Sequence, residues 1–161
     1  MNENTVCDKS ADLMYNIKRL CIKIHRTFGF GLLENAYRKL LVALLKKEGY
    51  EVLEEVPIPI SFENVRIENA FRADIIVNNS IIIELKAVEE LNKSHFLQLA
   101  TYLQLSDIPQ GLLVNFHSPD IFKGMFTTDL KLRLGAPCSV FRTLRQTICC
   151  GKCCHSKQYN S

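Results

Sequence analysis

Apolar residues recur every three or four positions along the first part of the chain. Between Ala11 and Phe28, the positions Leu13, Ile17, Leu20, Cys21 and Ile24 fall on one side of a helix. Gly29-Phe30-Gly31 breaks that pattern. A second helix is predicted from Leu32 to Glu48, with Leu33, Ala36, Tyr37, Leu40, Leu41, Leu44 and Leu45 as its apolar stripe and Gly49 just past its end. The period then drops to two. Val52 to Phe62 reads as a strand, and Pro57 and Pro59 put it at an edge or a bend. Glu63-Asn64 opens a turn region, and a second strand runs from about Phe71 to Val77. Asn78-Asn79 is a tight-turn signal. A third strand, Ile81 to Val88, is apolar on both faces, the pattern of a central strand covered on both sides.

A third helix is predicted from Lys93 to Leu105, carrying Phe96, Leu97, Ala100 and Leu103, with Leu99 as a further apolar position and Asn92 or Ser94 as its cap. Asp107-Ile108-Pro109 stops it, and Gly111 to Phe116 forms a fourth, core-like strand. A helix between two strands makes their pairing a parallel crossover. After His117 the pattern fades; Val140 to Thr147 holds one further strand or none. The order helix, helix, strand, strand, strand, helix, strand predicts an α/β fold whose mixed central sheet is flanked by helices. We place a domain at 1–125 and a divergent extension at 126–161.

Composition narrows the class. A length of 161 residues suits one domain, and a hydrophobic fraction of 47% suffices for a core. The net charge of +3 permits nucleic-acid binding without arguing for it. Met1-Asn2-Glu3-Asn4-Thr5 lacks the basic and apolar regions of a signal peptide, and no apolar run reaches the ~18 residues of a membrane span. The seven cysteines are odd in number, and five of them, Cys138, Cys149, Cys150, Cys153 and Cys154, gather at the C-terminal end, which points to a reducing, cytoplasmic setting. Cys150-x-x-Cys153 has the spacing of a zinc knuckle, but a second knuckle is missing. The tail is therefore read as a reduced, flexible extension rather than a Zn²⁺ site.

Candidate chemistry sits in the second and third strands. Asp74 lies in Arg72-Ala73-Asp74, and Glu84 and Lys86 lie in Ile83-Glu84-Leu85-Lys86. Alternation gives Glu84 and Lys86 one face, and the Asn78-Asn79 hairpin brings Asp74 alongside. One reading is a structural ion-pair network on a solvated face. The otherwise apolar strand favours the other: two carboxylates as hard oxygen ligands for Mg²⁺, with Mn²⁺ as substitute, and a lysine beside them for a water or phosphate oxygen. Arg72 shares Asp74's face under strict alternation, where it would hold a phosphate or balance the carboxylates. Gln98 and Tyr102 share a helical face. His95 either faces the site or caps its helix, and His25 suits its helix C-terminus. By periodicity alone, Glu34 is a solvated helix residue and Tyr37 belongs to the core.

Four blocks in order resemble the GxxExxY family of the PD-(D/E)XK nuclease superfamily. They are Gly31-Leu32-Leu33-Glu34-Asn35-Ala36-Tyr37; Arg72-Ala73-Asp74 with Ile83-Glu84-Leu85-Lys86-Ala87-Val88; His95-Phe96-Leu97-Gln98-Leu99-Ala100-Thr101-Tyr102; and Gly111-Leu112-Leu113-Val114-Asn115-Phe116. The resemblance spans about 17–124. It implies a restriction-endonuclease-like core of helix, three strands, helix and strand. It also implies that Asp74 and Glu84 hold the metal, that Glu34 is an added acid at the site and joins them as a metal ligand, and that Lys86 is the catalytic lysine. Gln98 would stand near the site and Tyr102 near DNA. The expected activity is Mg²⁺-dependent phosphodiester hydrolysis, of DNA ahead of RNA, by a chain able to form a homodimer. The rival is a binding module for nucleic acid or protein that keeps the fold without catalysis. A small-molecule enzyme finds no glycine-rich phosphate loop and no nucleophile–His pattern in this chain.

Overall fold

The computed structural model describes the backbone of residues 4–130 and the side chains of residues 11–130. The suggested strand at Val140–Thr147 and the Cys150-x-x-Cys153 pair lie outside the described residues. Helix α1 spans Asn4–Phe28 and buries Leu13, Ile17, Leu20, Cys21 and Ile24, the five positions that the helical period picks out. Gly29 ends it: its φ of 70° suits glycine, and its N–H donates to the His25 carbonyl at 2.8 Å. Helix α2 covers Glu34–Lys47. Leu33 stands at its N-cap without a side-chain acceptor for the helix. The loop before it is tied instead by the Tyr37 hydroxyl, which accepts from Leu32 N at 3.1 Å and donates to the Gly29 carbonyl at 2.8 Å.

Strands β1 (Val52–Phe62), β2 (Val65–Val77) and β3 (Ile81–Lys86) form an antiparallel meander. Strand β2 starts at Val65 rather than Phe71, because residues 65–70 continue the ladder with β1 as an exposed hairpin. No core selects apolar residues there, so the sequence pattern is silent. The β2–β3 turn, Asn78-Asn79-Ser80 between the paired Val77 and Ile81, holds Asn78 and Asn79 at left-handed φ of 49° and 48°. Helix α3 (Lys93–Ser106) then crosses to β4 (Gln110–Asn115), which pairs with β3 in parallel. A fifth strand, β5 (Met125–Asp129), pairs antiparallel with β4 and carries the sheet past position 125. The sheet order is β1-β2-β3-β4-β5, so the proline-bearing β1 is an edge and β3 is central, as expected.

The sheet separates two apolar layers. On one side α1 and α2 pack on Ile75, Val77, Ile81, Ile83, Leu85, Leu112 and Val114. On the other, Leu99, Tyr102 and Leu103 of α3 pack on Ala73, Ile76, Ile82 and Leu113. Each buried Leu or Ile contributes roughly 1.5–3 kcal/mol relative to an exposed one. Strand β3 is the only described strand whose first five residues are all buried, and it runs between both layers. A charged side chain on it therefore enters a dry environment. Among the described residues, no helix is long and apolar enough to cross a membrane.

Candidate functional site

Asp74 sits where the β2–β3 ladder opens. The strands pair from Val77/Ile81 to Ile75/Ile83, and the ladder stops there. At the next step Asp74 Oδ2 accepts from the Leu85 backbone N–H at 2.8 Å, in place of a carbonyl of its own strand. The faces of β2 change at the same point. Ile75 and Val77 pack toward α1 and α2, but Phe71 and Ala73 pack toward α3. Strand β1 makes the same change: Val52 joins the first layer, Val56 and Ile58 the second. Between them Glu55 has a φ of 49°, and it lies opposite Asp74, between the pairs Glu54↔Ile75 and Val56↔Ala73. One left-handed residue thus turns both strands over together and keeps their register.

Glu84 is 2% exposed and faces the α3 layer. Its Oε1 accepts from Lys86 Nζ at 2.6 Å, while its Oε2 is buried and without a partner. Burial, the neighbouring Asp74 charge and the Glu34 charge push the Glu84 carboxyl up to about 7, against the opposing effect of Lys86. Burial also raises Asp74, opposed by the Leu85 N–H and the Lys86 charge. Burial works to lower Lys86, but its hydrogen bond to Glu84 and the charges of Glu84, Glu34 and Asp74 outweigh that and raise it. These are two carboxylates that repel each other around one cation.

The other expected residues divide. Glu34, in the first turn of α2, is half-buried and close enough to act electrostatically on Glu84 and Lys86. Among the described residues, however, no three His, Cys, Asp or Glu side chains converge as a metal-ligand group, so Glu34 does not close a triad with Asp74 and Glu84. His95 caps its helix: its Nδ1 accepts from Asn92 N at 3.2 Å in the capping box of α3, and burial and Lys86 lower its pKa. Gln98 Nε2 donates to the Tyr102 hydroxyl. Tyr102 is buried beneath Phe71, and burial, with the Glu84 charge, raises its pKa against the Gln98 hydrogen bond. Arg72 stands beside Glu55, with its Nη1 3.8 Å from Oε1. Tyr37 is core, stacked on Phe116 at 4.3 Å, and His25 Nε2 bonds the Ser118 carbonyl at 2.8 Å.

Three polar residues at or near the site escape sequence reasoning. Arg38 lies one turn after Glu34, pairs with Glu55 at 2.9 Å and acts on Asp74. Its i+4 spacing from Glu34 was the available signal. Glu55 needed the cross-strand register to be seen. Asn115, at the end of β4, is buried and bridges to Val88: Oδ1 accepts from Val88 N at 3.1 Å and Nδ2 donates to Val88 O at 2.8 Å. That bridge holds the segment leaving β3 just beyond Lys86.

Adjacent strands thus carry a carboxylate pair, with a lysine two residues on, and the crossover helix carries the Gln–Tyr pair. The model of the PD-(D/E)XK nuclease superfamily matches residues 11–126. The chain belongs to this superfamily. No curated protein and no solved structure matches it. The five-stranded mixed sheet with helices on both faces is the restriction-endonuclease-like fold of PD-(D/E)XK proteins, as the sequence predicts. Membership points to nuclease activity on a nucleic-acid substrate, with Mg²⁺ or a similar divalent ion as the general cofactor of PD-(D/E)XK nucleases. The residues fit such an ion. Asp74 and Glu84 offer carboxylate oxygens, and the orphaned Oε2 of Glu84 is a buried acceptor that a hard cation would satisfy.

Proposed function

We propose that this chain hydrolyses phosphodiester bonds of nucleic acid, DNA ahead of RNA, as a cytoplasmic enzyme of the GxxExxY type. The observation that carries this reading is the convergence of Asp74, Glu84 and Lys86 where the β2–β3 ladder opens, with Glu84 Oε2 buried and unpartnered. The block Gly31 to Tyr37, which ties the loop before α2 through its tyrosine, supports the narrower family.

Asp74 and Glu84 would hold Mg²⁺, or Mn²⁺ in its place, with Glu34 adding negative charge nearby. When bound, the ion supplies Lewis-acid polarisation of a phosphoryl oxygen and acidifies a water. Lys86 is mostly buried and stays protonated beside Glu84. It is suited to donate to the attacking water or to a phosphoryl oxygen as charge develops there. The water oxygen bonds to phosphorus, the bond to one ester oxygen breaks, and that oxygen takes up a proton. Gln98, anchored on Tyr102, orients groups entering from the α3 side, where His95 also stands. Leu85 N–H fixes Asp74, so Asp74→Asn, which keeps an acceptor there, is the gentler variant than Asp74→Ala.

Purified protein should cut labelled single- or double-stranded DNA with Mg²⁺ or Mn²⁺ and not with EDTA. Lys86→Ala and Asp74→Asn should each lose about 10²-fold or more in rate while remaining folded. Equal rates in parent and Asp74→Asn would sink the assignment. Tight binding of DNA and RNA with no metal-dependent cutting of either would replace it with a non-catalytic binding module. The mass of the protein in solution tests the expected homodimer.

A further inference from the structure

Near Asp74, on the α2 side of the sheet, two arginines converge on one acid. Arg38 Nη1 lies 2.9 Å from Glu55 Oε1, and Arg72 Nη1 lies 3.8 Å from the same oxygen. We propose that Arg38 and Arg72 form a subsite for a backbone phosphate flanking the one that is cut, and that Glu55 fills this subsite until substrate arrives. The proposal rests on the nucleic-acid reading above.

A carboxylate and a phosphate present the same kind of acceptor to a guanidinium fork, so one can stand in for the other. Glu55 is placed to leave. Its side chain is 49% exposed, and that of Arg72 is 64% exposed, so a ligand reaches both from solvent. Arg38 is placed to stay. Its side chain is only 17% exposed, and its Nη2 donates to Asn35 Oδ1 at 2.7 Å. Even so, its Nε is buried without an acceptor, so Glu55 and Asn35 do not saturate its donors. Such a guanidinium retains capacity for a stronger acceptor.

The backbone points the same way. Glutamate is disfavoured at positive φ, yet Glu55 holds 49° at the point where the strands turn over. In the register of the two strands Glu55 lies opposite Asp74, one strand spacing away, roughly 5 Å between backbones. Arg38 and Glu55 both act on Asp74. Exchange of Glu55 for a phosphate would therefore keep an anion beside Arg38, and the field at Asp74 would change little. A purely structural ion pair would have no need for the second, exposed arginine.

The test is binding of the full chain, in EDTA, to fluorescein-labelled single-stranded and duplex DNA and single-stranded RNA, read by anisotropy across a salt series. Glu55→Gln should bind about 3- to 10-fold more tightly than the parent. Arg38→Gln and Arg72→Gln should each bind more weakly and lower the salt slope by about one. Adding Arg38→Gln to Glu55→Gln should erase the gain. Glu55→Asn, which tolerates the left-handed backbone, repeats the test if Glu55→Gln is unstable. A folded Glu55→Gln or Glu55→Asn that binds no more tightly than the parent overturns the subsite. If the parent nevertheless binds and cuts, the nuclease reading stands without it. If no oligonucleotide binds the parent or either Glu55 variant, the subsite falls, and cutting with Mg²⁺ decides the nuclease reading separately.

Discussion

A carboxylate that is buried beside another carboxylate is costly when ionised, and Glu84 bears that cost in the metal-free protein. Burial first, then Asp74, lifts its carboxyl to about 7, while the unfolded chain titrates it near the ordinary 4.5. Between those values the folded state binds more protons than the unfolded one, so stability falls as pH rises through the window. In EDTA the melting temperature should drop by several degrees from pH 5.5 to pH 7.5. Glu84→Gln should flatten that slope. Mg²⁺ should raise the melting temperature more at the higher pH, where both carboxylates are free of protons. A parent whose melting temperature is the same at both pH values, or rises, would contradict the charge balance drawn here.

At the scale of elements, the site depends on where strands end. Strand β4 ends at Asn115, whose side chain reaches Val88, and the following loop returns to β5 through Gly124, whose carbonyl accepts from Asn115 N at 2.8 Å. A Cβ at Gly124 would stand 2.6 Å from the Asn115 carbonyl oxygen and 2.9 Å from Ser118 Cβ. Backbone cannot yield cheaply at that distance. Gly124→Ala should therefore destabilise the protein by about 1–3 kcal/mol in denaturant unfolding, with an unchanged m-value. A cost below about 0.5 kcal/mol would mean that the loop is not packed as described. Gly29→Ala makes the contrasting control. No neighbour stands within 4 Å of the added Cβ, so only the positive φ of 70° opposes it, a cost of about 1 kcal/mol.

For the molecule as a whole, the two apolar layers meet across β3, and Cys21 marks the centre of one of them. It is fully buried, and burial pushes its thiol up to about 12 against a backbone hydrogen bond. Alkylation needs the thiolate, so Cys21 should react only when the core opens. Peptide-resolved labelling should show Cys21 unmodified in native buffer, its labelling rising with denaturant along the same curve as the loss of helix signal. Rapid labelling in native buffer would mean that α1 detaches without global unfolding. The same packing explains what was legible in the chain. Helical and strand periods are set by burial, so α1, α2, α3, β1, β3 and β4 could be read directly. The exposed first half of β2 and the half-buried β5 carry little apolar signal, and neither was visible. Asp74, Glu84 and Lys86 were legible because charges are rare in an apolar strand and stand out at fixed spacing. Arg38 and Glu55 were missed, because both depend on one left-handed residue and on the register between β1 and β2. The sequence by itself determined the elements and the acidic pair with its lysine, since local period and desolvation cost act residue by residue. Tertiary structure alone decided which carboxylate kept an unpartnered oxygen, which face each strand showed beyond Asp74, and which arginines reached Glu55. Those outcomes follow from how two strands turn over together, and no local pattern encodes that.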